Sequence, residues 1–396
     1  MNATEATAGT DGAAVPTPEE LVSRAEHIAR QLPKYAAQQE AERKVAPEII
    51  EMIADAGLFR VLQPRRWGGY EMHPQVFTDV QIALARGDMS VGWVYGVIGC
   101  HNFQMGLFDD RAAQDVWGER TDTRIASTFQ PGGVATPVDG GYRFSGRWKF
   151  ASGCDHADWV YLGGSLDGEF LTCLLPRDQY EIVDAWNVHG LKATGSQDIL
   201  VDNVVIPEHR VHKSSDGFKC DSPGNKVNTG WLYRIPFHQI FIRAITAAAI
   251  GALEAMIAAY SEYAQSRISI VAGPAAIDPD AQLALGEAIV LVDELKCVIA
   301  RNYEVLEGHA RAGELPPFET RLLFKYQASA VAAQCLAAGR RIFENAGGTG
   351  LFNDQPFGRI LSDLTAANQH AAAQHHLAAR SLGKLKLGQD VQEWYL

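Results

Sequence analysis

Apolar side chains recur every three or four positions from Pro18 to Trp117, alternate in short runs from about Arg124 to Ile206, and return to the wider spacing from about Pro236. The outer blocks therefore predict helices and the middle block strands, because one helix face repeats about every 3.6 residues and one strand face every second residue. Thr17-Pro18-Glu19-Glu20 marks the first helix start, with a hydroxyl cap, a proline at the first helical position and a glutamate at the third. Leu21, Ala25, Ile28 and Ala29 fall on one face of that helix, and Ile49, Ile50, Ile53 and Ala54 on another before Gly57. Further helices are predicted over about Pro74 to Ala85, Val91 to Leu107 and Arg111 to Trp117.

In the middle block, Tyr142 to Phe150, Trp159 to Leu162, Phe170 to Leu175 and Ile199 to Ile206 are rich in β-branched and aromatic residues and separated by Gly, Pro and Asp. Strands at this spacing suggest a small barrel or sandwich rather than a parallel sheet. Cys220 to Asn228 reads as a polar loop. Four helices are then predicted, Phe237 to Gln265, Pro279 to Ala312, Glu319 to Asn345 and Ile360 to Leu387, with a breaker at Gly313-Glu314-Leu315-Pro316-Pro317. The expected class is α+β, mainly α: a disordered lead-in over 1–16, a helical domain over 17–122, a β domain over 123–219, a linker over 220–235 and a four-helix bundle over 236–396. No period of 30 to 45 residues repeats, which disfavours a helical solenoid.

Composition narrows the function classes. A chain of 396 residues with 47% hydrophobic content can bury one large core or several smaller ones. No stretch reaches the roughly 20 uncharged apolar residues of a spanning helix, since Ile240 to Ala259 contains Arg243 and Glu254. The N-terminus lacks the basic and apolar regions of a secretion signal. Six cysteines lie far apart with no C-x-x-C pair, as expected of reduced thiols in a cytoplasm. A net charge of −12 with no basic cluster disfavours nucleic acid. Neither a glycine-rich dinucleotide fingerprint nor a P-loop occurs. Ala244, Ala248, Gly251 and Ala255 recur at helical spacing and suggest close helix packing and self-association.

Several strings carry a family resemblance. They are Ala54 to Phe59 leading into Arg66-Trp67-Gly68-Gly69-Tyr70, Phe144 to Gly153, Gly190 to Ser196 followed by Asp202 to Pro207, and Glu344 to Gly350. In their order and spacing the chain resembles the acyl-CoA dehydrogenase superfamily from about residue 18 to 388. The closing segment Asp363 to Lys384 holds three histidines and no glutamate, where a carboxylate base would usually sit. With His101-Asn102-Phe103, Ser127-Thr128-Phe129, Trp148 to Gly153 and His370, the chain more closely resembles the two-component flavin monooxygenases, which include the oxygenase components of 4-hydroxyphenylacetate hydroxylase and secosteroid phenol hydroxylase.

That resemblance implies hydroxylation of a small aromatic, phenolic substrate with O2 and reduced FMN or FAD, through a flavin C4a-hydroperoxide. It also implies a separate NAD(P)H-dependent flavin reductase and a homotetramer; no metal is expected, because no histidine pair has the i, i+4 spacing of a helical metal site, and the charge and hydropathy above lead to no nucleic acid or membrane partner. His370 is the candidate for controlling the peroxide proton, since imidazole titrates near neutral pH. His375 and His376 would point away from it on a continuous helix. Trp148, Phe150 and Ser152 alternate along a strand and are expected to share a face, the rings covering the isoalloxazine and the hydroxyl approaching its N5.

His101, as base or hydrogen-bond donor, and Ser127 are the candidates for gripping the phenol oxygen, with capping of a helix ending at Cys100 as the alternative role for His101. Arg243 and Arg267 are candidates for the flavin phosphate, and Gly347 and Gly348 for close backbone approach. Alternatives of the same fold are an N- or S-oxygenase, or an acyl-CoA dehydrogenase drawing its base from Glu254. A helical interaction module without catalysis is disfavoured by the β block.

Overall fold

The computed structural model describes residues 14–269, 273–393 and 396, so the lead-in expected over 1–16 lies outside the described residues up to residue 13. Thr17 closes a complete capping box on the first helix, Pro18–Ala29: its hydroxyl accepts the Glu20 amide and the Glu20 carboxylate accepts its own. Leu21, Ala25, Ile28 and Ala29 are buried, as their spacing predicts. Pro47–Asp55, Pro74–Gly87, Met89–Met105 and Asp110–Trp117 complete the N-terminal helices that position the site. Asp88 starts Met89–Met105 by accepting the Ser90 and Val91 amides. Every residue of that helix is buried, which explains why it has no polar face in the sequence.

The alternating runs form one seven-stranded sheet from β1 (Ile125–Val138), β2 (Gly141–Ala151), β3 (Trp159–Leu166), β4 (Glu169–Pro176), β5 (Glu181–Val183), β6 (Gln197–Pro207) and β7 (Val211–Lys213). Its order is β5-β6-β2-β1-β3-β4-β7. All pairs are antiparallel except β1 with β3, so the sheet is mixed and mainly antiparallel. Phe144 and Trp148, with ring centroids 5.0 Å apart, fill its core together with Val160, Leu162 and Ile199.

In the C-terminal half, Phe237–Thr246 runs through Ala247 into Ala248–Ser266, and Pro279–Ala312 and Phe318–Ala346 pack beside it. By length and composition alone, Phe237–Ser266 would suffice to cross a membrane, contrary to the expectation that no stretch approaches this. Arg243 and Glu254 do not by themselves disqualify it, but 78% of its most apolar stretch is buried in the fold. Its apolar character is accounted for by core packing.

The small-residue stripe is likewise used within the chain. Ala244 accepts Gln81 Nε2 at 2.5 Å through its carbonyl, and Gly251 abuts Ile82, Ala85 and Arg86 so closely that a side chain there would collide with backbone. It therefore packs Pro74–Gly87 and is not free for a second copy.

The last predicted helix is two. Phe357–Ala367 ends before His370, a single 3-10 turn covers Ala371–Ala373, and His375–Lys386 begins anew. His370 takes an extended backbone with φ −65° and ψ 142°, and its Nδ1 accepts the Ala372 amide at 3.0 Å. A side chain that satisfies a nearby amide offers the backbone an alternative to the helix ladder, which interrupts the alanine-rich run. The helical-wheel separation of His375 and His376 from His370 does not apply across this break.

Candidate active site

His101 lies inside Met89–Met105 rather than at a helix end, which removes the capping role considered for it. It is fully buried, edge-on to Phe129 and Tyr161 with centroids 5.9 and 5.2 Å away. Its Nδ1 lies 2.9 Å from Gln104 Oε1 and its Nε2 lies 2.7 Å from Ser127 Oγ. An amide oxygen only accepts, so Nδ1 carries the imidazole hydrogen and Nε2 accepts from Ser127. Burial pushes the His101 pKa down to about 3, so the ring is neutral.

Ser127 on β1 forms an isolated antiparallel bridge with Ser152 just beyond β2, which sets the two serines side by side. Ser152 Oγ accepts Trp93 Nε1 at 3.2 Å and lies 2.7 Å from Ser196 Oγ. Trp93 also meets His370 edge to face, with ring centroids 5.6 Å apart. The structure thus brings His101, Ser127, Ser152 and His370 into one continuous series through Trp93. His370 is half-buried, and burial pushes its pKa down to about 4. Because Nδ1 accepts a backbone amide, the remaining hydrogen sits on Nε2, and His370 presents a neutral donor rather than a group titrating near pH 7.

The expectation that Trp148, Phe150 and Ser152 share one face does not hold. Phe150 has φ 67°, and the register between β2 and β6 shifts between Trp148 and Ala151. A bulge of this kind breaks the two-residue alternation. Trp148 is enclosed in the sheet core, where Nε1 donates to the Gly163 carbonyl at 2.7 Å, so its ring has no open face for a cofactor. Phe150 points outward, 52% exposed, and meets Trp186 edge to face at 6.0 Å.

The two candidate arginines are separated. They lie 24 positions apart on one nearly continuous helical run, about 36 Å at the helical rise, so one chain cannot bring both to the same phosphate. Arg243 is buried against the Tyr303 ring at 5.1 Å and donates to the Gln239 carbonyl at 2.6 Å, while its Nε and one Nη have no partner among the described residues. Arg267 instead donates to the Asn345 carbonyl and covers Gly347 so tightly that any side chain there would strike its guanidinium. Gly347 has φ 63° and ψ −165°, a backbone that only glycine adopts readily. A side chain at Gly348 would meet nothing within 4 Å among the described residues.

Four residues escape the sequence reading. Gln104 stands one turn from His101, a spacing that identifies a neighbour but not its role. Ser196 and Thr194 belong to the string flagged between Gly190 and Ser196, yet nothing in linear spacing ties them to Ser152. Asp363 is a buried carboxyl that accepts the Leu191 amide at 2.6 Å, and burial pushes its pKa up to about 7. Glu254, the alternative base, is instead held by Arg86 at 2.8 Å and by Lys296.

Comparison with known proteins adds to this geometry. The family described as acyl-CoA dehydrogenase, C-terminal domain, matches residues 243–375. The chain is 35% identical over 352 residues to the flavin-dependent monooxygenase oxygenase subunit HsaA of Rhodococcus jostii, covering 86% of this chain and 91% of that protein. It is 29% identical over 397 residues to the oxygenase component of an FADH2-dependent resorcinol hydroxylase from Rhizobium sp., covering 95% and 96%. The crystal structure of 3-HSA hydroxylase from Rhodococcus sp. superposes with a TM-score of 0.91 at 33% identity, over 95% of this chain and 99% of that one.

Proposed function

The chain belongs to the oxygenase subunits of two-component flavin-dependent monooxygenases built on the acyl-CoA dehydrogenase fold, and on that premise we propose that it hydroxylates a small phenol with reduced FMN or FAD and O2. A separate NAD(P)H-dependent reductase is the proposed source of the reduced flavin, the proposed location is cytoplasmic, and the proposed assembly is a homotetramer. Leu283, Ile289 and Val290, more than half exposed on Pro279–Ala312, support self-association through that helix instead of the small-residue stripe.

The observation that carries the reading is the continuous series His101, Ser127, Ser152, Trp93 and His370. Its polar set fits a flavin ring: Ser152 offers a neutral hydroxyl and His370 a neutral imidazole N–H, both beside the Trp93 ring. When bound, reduced flavin supplies the activation of oxygen. Ser152 is proposed to meet the ring's N5 edge, Phe150 to wall the ring, and His370 Nε2 to donate a hydrogen bond on the side where oxygen reacts. Arg267 with Gly347 and Gly348 is the proposed phosphate end, and Trp148 and Arg243 are assigned to the folded core instead.

Ser127 gives its hydrogen to His101 and keeps an acceptor lone pair for a phenol hydroxyl. Complete transfer of a proton from a phenol of pKa about 10 to an imidazole held at about 3 would cost on the order of 10 kcal/mol. The pair therefore supports orientation and polarisation of the phenol oxygen, with His101 as acceptor rather than as donor or strong base. Glu254 is already neutralised by Arg86 and Lys296, which counts against the dehydrogenase alternative.

A panel of phenols, amines and thioethers, supplied with chemically reduced flavin and oxygen, tests the assignment. Coupled oxygenation of phenols is expected. Coupled turnover of amines or thioethers alone, or reduction of bound flavin by an acyl-CoA, would replace it.

A further inference from the structure

Four side chains form an unbroken line from Trp93 to a backbone carbonyl. Trp93 Nε1 lies 3.2 Å from Ser152 Oγ, Ser152 Oγ lies 2.7 Å from Ser196 Oγ, Ser196 Oγ lies 2.7 Å from Thr194 Oγ1, and Thr194 Oγ1 lies 2.9 Å from the Leu191 carbonyl. All four side chains are buried, with Thr194 only 1% exposed, so water is poorly placed to substitute for any link. The ends fix the direction of the whole line. An indole N–H can only donate and a carbonyl can only accept. Thr194 spends its one hydrogen on Leu191, so Ser196 must donate to Thr194, and Ser152 must donate to Ser196.

Ser152 is then left with neither a hydrogen to give nor freedom to turn. It has accepted one hydrogen bond and donated one, and what remains is a single acceptor lone pair. Reduced isoalloxazine carries a hydrogen on N5, whereas the oxidised ring presents a lone pair there. An acceptor held in place matches the first and repels the second.

We propose that Trp93, Ser196 and Thr194 are positioning residues that lock Ser152 as a hydrogen-bond acceptor, so that the site selects reduced over oxidised flavin. The inference rests on the proposed placement of Ser152 at flavin N5. It gives a chain that receives flavin from a separate reductase a built-in means of taking the useful form and releasing the spent one. Leu191 holds the far end: its carbonyl also accepts Trp186 Nε1 at 3.1 Å, and its amide donates to Asp363.

The test is the ratio of dissociation constants for oxidised and dithionite-reduced flavin, measured anaerobically without substrate. Ser196→Ala frees the Ser152 hydrogen to turn toward N5 and is expected to narrow the ratio by roughly fivefold to tenfold, the worth of one hydrogen bond, mainly by tightening oxidised flavin. Ser196→Thr keeps the hydroxyl and is expected to keep the ratio. In a Ser152→Ala background, Ser196→Ala is expected to add nothing. Thr194→Val serves as an independent cut of the same line should Ser196→Ala fail to fold, and is expected to act like it.

If Ser152→Ala alters the ratio while the Ser196 and Thr194 variants do not, the relay is refuted and the Ser152 placement survives. If Ser152→Ala leaves both affinities unchanged, the placement itself fails and the inference with it. A Ser196→Ala effect that persists without Ser152 would also refute the relay.

Discussion

Ser127 Oγ stands 2.7 Å from His101 Nε2, and because His101 Nδ1 is committed to Gln104, the hydrogen between them belongs to serine. Removing either partner should impair hydroxylation of a bound phenol far more than flavin binding. His101→Ala and Ser127→Ala are expected to lower the single-turnover hydroxylation rate on the order of 100-fold. Gln104→Leu, which only frees the tautomer, should cost about tenfold. Rapid-quench measurement with reduced flavin and saturating phenol checks this, and wild-type rates in both His101→Ala and Ser127→Ala would remove the pair from the site.

His370 donates through Nε2 and is held neutral by burial, with a pKa of about 4. His370→Ala should increase the hydrogen peroxide released per flavin oxidised, while His370→Gln, which keeps an N–H donor, should retain most of the coupling. Since the ring is already neutral above about pH 5, wild-type coupling is expected to stay level between pH 6 and 8. A sigmoidal change centred near pH 6.5 would show a histidine that titrates freely and would contradict this placement.

Burial also pushes His156 and His212 down to about 4 and His238 to about 3, joining His101 and His370. In the unfolded chain such groups take protons near pH 6.5, so below that value the unfolded state binds more protons than the folded one. Stability is therefore full above about pH 6.5 and is lost as pH falls toward 4. Asp363, pushed up to about 7, works in the opposite sense, as do Asp79, Asp88, Asp155 and Asp216, which burial also raises, and the five histidines are expected to outweigh them between pH 6 and 5. Urea titrations at pH 8, 6 and 5 should show the unfolding free energy falling by at least about 1 kcal/mol per pH unit across the last interval. A value that rises there would overturn the account of these histidines.

Trp148 and Phe150 look equivalent in the sequence and differ in the fold. Trp148→Ala should cost about 3 to 5 kcal/mol of stability, as for a buried aromatic ring. Phe150→Ala should change stability by less than about 1 kcal/mol and instead weaken reduced-flavin binding. Thermal melts paired with anaerobic flavin titrations separate the two outcomes. Equal destabilisation by both would mean that Phe150 is structural.

The contrast marks how far the sequence could be read. The capping box at Thr17, the order of helices and strands, and the chemistry-bearing types at 101, 127, 152 and 370 were legible because local spacing and family strings carry them. The direction of a side chain after an irregularity was not. One left-handed residue at Phe150 undoes a strand alternation, and one capping imidazole at His370 divides an alanine-rich helix. Both depend on tertiary partners that no window along the chain contains. The same holds for Ser196, which reaches Ser152 across 44 positions, and for the small-residue stripe, whose partner is another helix of the same chain. Trp93 was visible as an aromatic but not as the link between Ser152 and His370.

This chain is expected to insert one atom of molecular oxygen into a phenol with flavin reduced elsewhere. Photoreduced flavin, the purified chain and a turned-over phenol from the panel are mixed with ¹⁸O2 in the absence of any reductase, and the product is weighed by mass spectrometry. One ¹⁸O atom in the hydroxylated ring, with product formed in proportion to the reduced flavin supplied, is the predicted result. Flavin oxidation that yields only hydrogen peroxide with every phenol tested, or product carrying oxygen from water, would contradict it.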